Sequence, residues 1–163
     1  MWWMDLGIKA GLGAAKIASL WNKKIKQALD GRRNLPEKIA TVIHPGDKVI
    51  WFHAASFGEF EEGRPLLEEI HQHYPQYKIL VTFFSPSGYN AHKNYPHADL
   101  VCYLPADITR DVRSFLDVVH PEIAIFIKYE FWPNLLSEMK KRLIRTFVVS
   151  ARFIPNSRFF KWY

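Results

Sequence analysis

Five short apolar runs recur along the body of the chain: VIWFHAA (49–55), KILVTFF (78–84), DLVCYL (99–104), EIAIFIK (122–128) and IRTFVVS (144–150). They are continuous rather than alternating, and rich in β-branched and aromatic residues. That is the pattern of strands covered on both faces, as in a parallel sheet. Between them the polar and apolar positions take up helical spacing, over 57–73, 87–95, 109–119 and 133–142. Such alternation predicts an α/β fold built on a Rossmann-like open parallel sheet with right-handed crossovers. If the strands lie in the order 3-2-1-4-5, the loops after the first and fourth flank a crevice at the carboxyl edge, where such sheets bind ligands. That order brings Glu59 and Glu130 near one another.

Ahead of the body, residues 1–33 show a different pattern. Trp3, Leu6, Ala10, Ile17 and Trp21 form an apolar stripe at helical spacing, while Lys9, Lys16 and Lys23 line a separate face. Asp5, Lys9 and Lys16 interrupt the stretch, so it reads poorly as a membrane span. It also lacks the order of charge, apolar run and small residues that marks a secretory signal. Two readings remain: an amphipathic helix lying on an anionic membrane surface, or a helix packed on the domain or a partner. Residues 34–48, punctuated by Pro36, Pro45 and Gly46, read as a linker. The chain thus divides into a membrane-associating helix, 1–33, and an α/β domain, 34–163.

Composition adds little to the fold and something to the partner. A hydrophobic content of 48% supports a real core. The lone Cys102 excludes an internal disulfide and a multi-cysteine metal site. A net charge of +6 points to something anionic without choosing among nucleic acid, lipid and phosphorylated substrate.

The candidate chemistry sits in the loops after the strands. In HAASFGEFEEGRP (53–65), Ser56 and Glu59 have the spacing of a capping box, with Ser56 serving the N3 amide and Glu59 reaching back to the Ser56 amide. Glu59 is equally placed to act as a general base, and Gly58 lets a bulky acceptor approach. The two roles are compatible, because a capped helix start is rigid. Glu61 and Glu62 read as helix-face charge, pairing with Arg64 or nearby lysines. FFSPSGYN (83–90) offers Ser85 and Ser87 at another helix start, either an anion site or a Ser-capped turn. In YEFWPN (129–134) Pro133 fits a first helical position, with Glu130 and Trp132 just ahead of it. No P-loop, dinucleotide fingerprint, zinc pair or serine elbow is present.

Taken together, WFHAASFGEFEEGRPLLEEI, ILVTFFSPSGYN, DLVCYLPADI, PEIAIFIKYEFWPNLL and VVSARF resemble, in order and spacing, the 3-deoxy-D-manno-octulosonic acid (Kdo) transferases of lipopolysaccharide assembly. TFFSPSGY and IKYEFWPN look most like the Bacteroides-group versions. The resemblance implies the N-terminal half of a GT-B glycosyltransferase on the cytoplasmic face of the bacterial inner membrane. Such an enzyme moves Kdo from CMP-Kdo to the lipid A precursor, inverting, with no cofactor and no metal. It implies Glu59 as the general base and Glu130 as a second active-site acid. Substrate contacts are implied for Ser56, Gly58, Arg64, Ser85, Ser87, Gly88 and Arg152. Lys128 departs from the pattern, since many relatives carry an acid there. The CMP-Kdo-binding half is missing from this sequence, so the chain alone is expected to be inactive. Nucleic acid is not an expected partner; the rival class is a non-catalytic basic α/β module docking to membrane or nucleic acid.

Overall fold

A computed structural model describes residues 2–151 of the chain. Three helices come first: α1 (Trp2–Ala18), α2 (Lys23–Gly31) and α3 (Leu35–Ala40). Strands and helices then alternate through β1 (Lys48–Ala54), α4 (Phe57–His73), β2 (Tyr77–Phe83), α5 (Pro86–His92) and β3 (Leu100–Tyr103). The second half continues with α6 (Thr109–Val119), β4 (Ile123–Ile127), α7 (Pro133–Lys141) and β5 (Arg145–Val149). The strands pair in parallel in the order β3-β2-β1-β4-β5. This is the Rossmann-like open sheet that the alternation predicts, and the order reverses between β1 and β4.

The continuous apolar runs are explained by two covered faces. Every residue of β1 from Val49 onward is buried. Trp51, Leu80 and Phe126 enter the core made with Ile39 of α3, Phe115 of α6 and Met139 of α7. Their neighbours Phe52, Val81 and Ile127 enter the opposite core, with Phe60 and Leu67 of α4. Trp51 is fully buried and meets Phe115 and Phe126 edge-on at 5.1 and 5.3 Å. The exception is β5, whose Phe147 and Val148 are 53% and 40% exposed. Its apolar run reads like the others, but no helix among the described residues follows to cover it.

The N-terminal region differs from the sequence expectation in two respects. First, the amphipathic stretch is two helices. Asn22 breaks it, its Oδ1 accepting from the Lys24 and Ile25 amides at 3.0 and 3.3 Å as the N-cap of α2. Second, the segment read as a linker holds α3, and Leu35, Ile39 and Ile43 are core residues. Their spacing of four is a helical stripe that the prolines obscure, and Pro36 lies in a first turn, where its missing N–H costs nothing.

Both leading helices are tied to the body. Asp5 Oδ1 accepts from the Thr109 amide and hydroxyl and from Asn134 Nδ2 at 3.0–3.2 Å, pinning α1 to the starts of α6 and α7. Arg32, just after α2, donates to the carbonyls of Phe84 and Leu104, both at 2.8 Å. On α1, Met4, Ile8 and Leu12 are half-buried, whereas the stripe residues Leu6 and Ile17 are each 62% exposed. Leu20 and Trp21 in the following turn are 75% and 79% exposed. Among the described residues no helix is long and apolar enough to cross a membrane.

Candidate active site at the carboxyl edge of the sheet

β1 ends at Ala54, and its neighbour β2 ends in register with it, Ala54 opposite Phe83. The pairing runs on into the loops, where the Ser85 amide donates to the Ala55 carbonyl at 2.9 Å. The serine loop is thereby laid beside the start of α4. Glu59 lies in the first turn of that helix, where the dipole favours a carboxylate. Its Oε2 accepts from the Ala55 amide at 2.8 Å. No hydrogen bond to its Oε1 is found among the described residues, and the side chain is half-buried.

The capping box is therefore only half formed, and shifted. Ser56 is the N-cap in backbone terms, but its side chain makes no capping bond. The Glu59 carboxylate reaches one residue further back than expected, to Ala55 rather than Ser56. With Ser56 extended at φ −145° and ψ 174°, the Ala55 amide is the donor that the carboxylate reaches. The Ser56 hydroxyl stays at the half-exposed rim.

Beneath this rim lies a buried polar chain that sequence reasoning missed. His53 is fully buried in β1 opposite Thr82 of β2. Its Nδ1 is 2.9 Å from Thr82 Oγ1 and its Nε2 is 3.3 Å from Glu130 Oε2. Trp51 Nε1 donates to Thr82 Oγ1 at 2.8 Å, and Trp132 Nε1 donates to Glu130 Oε2 at 3.0 Å. One tautomer satisfies the chain with Glu130 ionised: the Thr82 hydroxyl donates to Nδ1, and Nε2–H donates to the carboxylate. Glu130 is thus held against the end of β1 from the loop after β4, its side chain 18% exposed. The sequence signal for His53 was faint, a histidine inside an apolar run.

Lys128 follows β4 in the left-handed region, φ 65°. Its ammonium meets Glu62 Oε1 at 2.6 Å. That hydrogen bond raises its pKa, with the Glu59 charge contributing. Glu61 pairs with Arg64 as expected, and both Glu61 and Glu62 also reach beyond α4. Glu61 reaches His92 of α5 at 3.1 Å and Arg64 at 3.2 Å, while Glu62 ties α4 to the loop after β4.

The remaining candidates fall in different places. Gly58, beside Glu59, has open space where a side chain would stand. Ser85 and Ser87 hydroxyls meet at 2.8 Å, and neither caps α5. Gly88 is buried, and an added methyl there would overlap the Phe83 ring; its visible role is packing. Arg64 is paired with Glu61 and Glu68 further along α4, on another face from Glu59. Arg152 lies outside the described residues. No three His, Cys, Asp or Glu among the described residues are grouped to hold a metal ion.

A doubly covered parallel sheet, with anchored carboxylates on the loops at its order reversal, defines a Rossmann-like α/β domain with a candidate site at the strand ends. Residues 27–162 match the family described as 3-deoxy-D-manno-octulosonic-acid transferase (kdotransferase), and the chain belongs to that family. It is 32% identical to the 3-deoxy-D-manno-octulosonic acid transferase of Haemophilus influenzae over 114 residues, 69% of this chain and 27% of that one. The transferase of the same description from Rickettsia bellii is 32% identical over 128 residues, 77% of this chain and 30% of that one. A bifunctional glycosyltransferase/methyltransferase of Fusobacterium nucleatum is 28% identical over 114 residues, 68% and 18% of the two chains. The chain spans less than a third of the length of these relatives.

Proposed function

We propose that this chain is the acceptor-side half of a GT-B glycosyltransferase that moves Kdo from CMP-Kdo to the lipid A precursor with inversion. Glu59 is the general base and works without a metal. The observation that carries the reading is the Glu59 carboxylate at the sheet's order reversal: Oε2 is fixed by the Ala55 amide, and Oε1 is left for a substrate hydroxyl. A general base needs that combination of fixed geometry and one available oxygen. The Lys128 ammonium, bonded to Glu62, adds a positive charge to the same rim. Open space over Gly58 admits the acceptor sugar.

Glu130, held by His53 and Trp132, is the second acid, positioned beside the crevice. The hydroxyls of Ser56, Ser85 and Ser87 line the same rim and serve substrate contacts. Leu6, Ile17, Leu20 and Trp21, exposed among lysines, rest on the anionic membrane surface that carries the acceptor. Their apolar character favours lipid over nucleic acid.

The test is transfer of labelled Kdo from CMP-Kdo to lipid A precursor by a protein in which this segment is joined to a donor-binding half. Product should form, and a Glu59→Gln segment in the same protein should give little. Equal transfer by both would remove Glu59 from the chemistry; no transfer by either, with both halves folded, would remove the substrate assignment.

A further inference from the structure

Phe57 opens α4 and is 47% exposed, yet its ring has a firm backing. It stacks on the imidazole of His92, with 5.3 Å between ring centroids and 22° between planes. His92 is itself buried and also stacks on the fully buried Phe83, at 5.7 Å and 18°. Both of its nitrogens are held, Nδ1 at 3.3 Å from the Gly88 carbonyl and Nε2 at 3.1 Å from Glu61 Oε1. The buried Phe60 packs against the same imidazole at 4.3 Å. The outer ring therefore rests on a support fixed by the core. A single apolar side chain at a surface is ordinary. An aromatic ring that is both rigidly backed and open to solvent is a preorganised binding face, because little side-chain freedom remains to be lost on contact.

The position of the ring indicates what that face receives. Phe57 stands between Ser56 and Gly58, two residues before Glu59 in the same first turn. The bond from the Ser85 amide to the Ala55 carbonyl lays a second serine loop beside this one. A pyranose suits such a surface. Its C–H groups carry a small positive charge and lie well on the negative face of an aromatic ring, while its hydroxyls bond at the edge. A hydrocarbon chain would leave the neighbouring hydroxyls unused. A nucleotide or an acidic sugar would bring negative charge up to a helix start that already carries Glu59 and Glu61. The ligand that fits is a neutral or amino sugar, which selects the acceptor saccharide over the acidic donor.

We propose that Phe57 is the aromatic platform of a saccharide subsite, carrying a pyranose ring of the acceptor on the face turned away from His92. That the saccharide belongs to the acceptor rests on the reading of Glu59 above; that the ring binds a neutral or amino sugar does not. Binding can be scored without transfer, so the two fail separately.

The probes are N,N′-diacetylchitobiose, a neutral amino-sugar disaccharide, and N-acetylneuraminic acid, an acidic sugar, each titrated into the full chain and followed by saturation-transfer NMR. The disaccharide should bind, with saturation strongest on the C–H protons of one ring face, and the acidic sugar should bind more weakly. Phe57→Leu keeps an apolar side chain but removes the ring, and should weaken disaccharide binding by about tenfold, the scale of an aromatic contact. Phe57→Tyr keeps the ring and should bind within about twofold of the parent, which separates loss of the platform from any loosening of the helix start. In the joined transferase Phe57→Leu should raise the acceptor KM by a similar factor and leave the donor KM unchanged. A parent chain that receives no disaccharide, a Phe57→Leu chain that binds it as the parent does, or tighter binding of the acidic sugar would overturn the platform. Disaccharide bound as described by a chain whose joined form transfers nothing would bear out the platform and fail the reading of Glu59 alone.

Discussion

Glu59, Glu61 and Glu62 lie within four positions of one another, and each ends in different company: the Ala55 amide, the buried His92 and the Lys128 ammonium. The S-x-x-E spacing made Glu59 legible in the sequence, because it depends on residues within one helical turn. The pairing of Glu61 with Arg64 was legible for the same reason, whereas His92 and Lys128 come from separate elements and leave no local mark. His53 shows the same limit more strongly. Its partners Thr82 and Glu130 are 29 and 77 residues away, and only the register of β1 on β2 and the turn after β4 bring them to it. His53→Ala should therefore cost about 1–3 kcal/mol through the lost bonds to Thr82 and Glu130, measured by chemical denaturation. The same change in the joined transferase should lower turnover through Glu130. His53→Gln, which can keep the bond to Glu130, should recover part of the loss, whereas a merely space-filling role would predict no recovery over His53→Leu.

At the scale of elements, α4 and α6 occupy the residues that the periodicity indicated, 57–73 and 109–119, while α3 and the break before α2 were hidden. Both hidden features are short and begin at an asparagine, and a stripe of two or three apolar residues is easily masked by proline and glycine. The close fit of α4 on the sheet depends on Gly63, since an added methyl would run into the Ile127 side chain. Gly63→Ala should destabilise the domain by about 1–3 kcal/mol, the usual range for overpacking, and thermal denaturation would register it. The α6–α7 pair is locked differently. Glu138 on α7 takes both Arg113 Nε and Nη2 at 3.1 Å and Lys141 at 2.7 Å. Hydrogen bonds from Arg113, then from Lys141, hold its pKa at about 2 against an ordinary 4.5. A depressed carboxylate stabilises fully above its unfolded value and ceases to do so as pH falls through the folded one. Denaturant midpoints should therefore drop between about pH 4.5 and 2. In Glu138→Gln that part of the drop should vanish, with stability already lower at neutral pH.

At the scale of the whole molecule, the sheet order, the two covered faces and the crevice at the β1/β4 reversal followed from the succession of apolar runs, since packing leaves such runs few alternatives. What did not follow was the seating of the N-terminal helices. They are fastened by Asp5 and Arg32 to carboxyl-edge loops rather than carried as an arm. Fastened so, they turn Leu20 and Trp21 outward beside Lys23 and Lys24. Leu20→Ser/Trp21→Ser should reduce partition onto anionic vesicles by about tenfold or more, given the apolar area lost, with no change in melting temperature because both side chains are exposed. The central claim, however, concerns Glu59, and the turnover number of Glu59→Gln in the joined transferase tests it most directly. A lost general base predicts a fall of roughly 10²–10⁴ in kcat with the fold intact, since glutamine can still accept from the Ala55 amide. A variant that turns over like the parent, or one whose loss is accounted for by unfolding, would contradict the claim and leave Glu59 with the helix start alone.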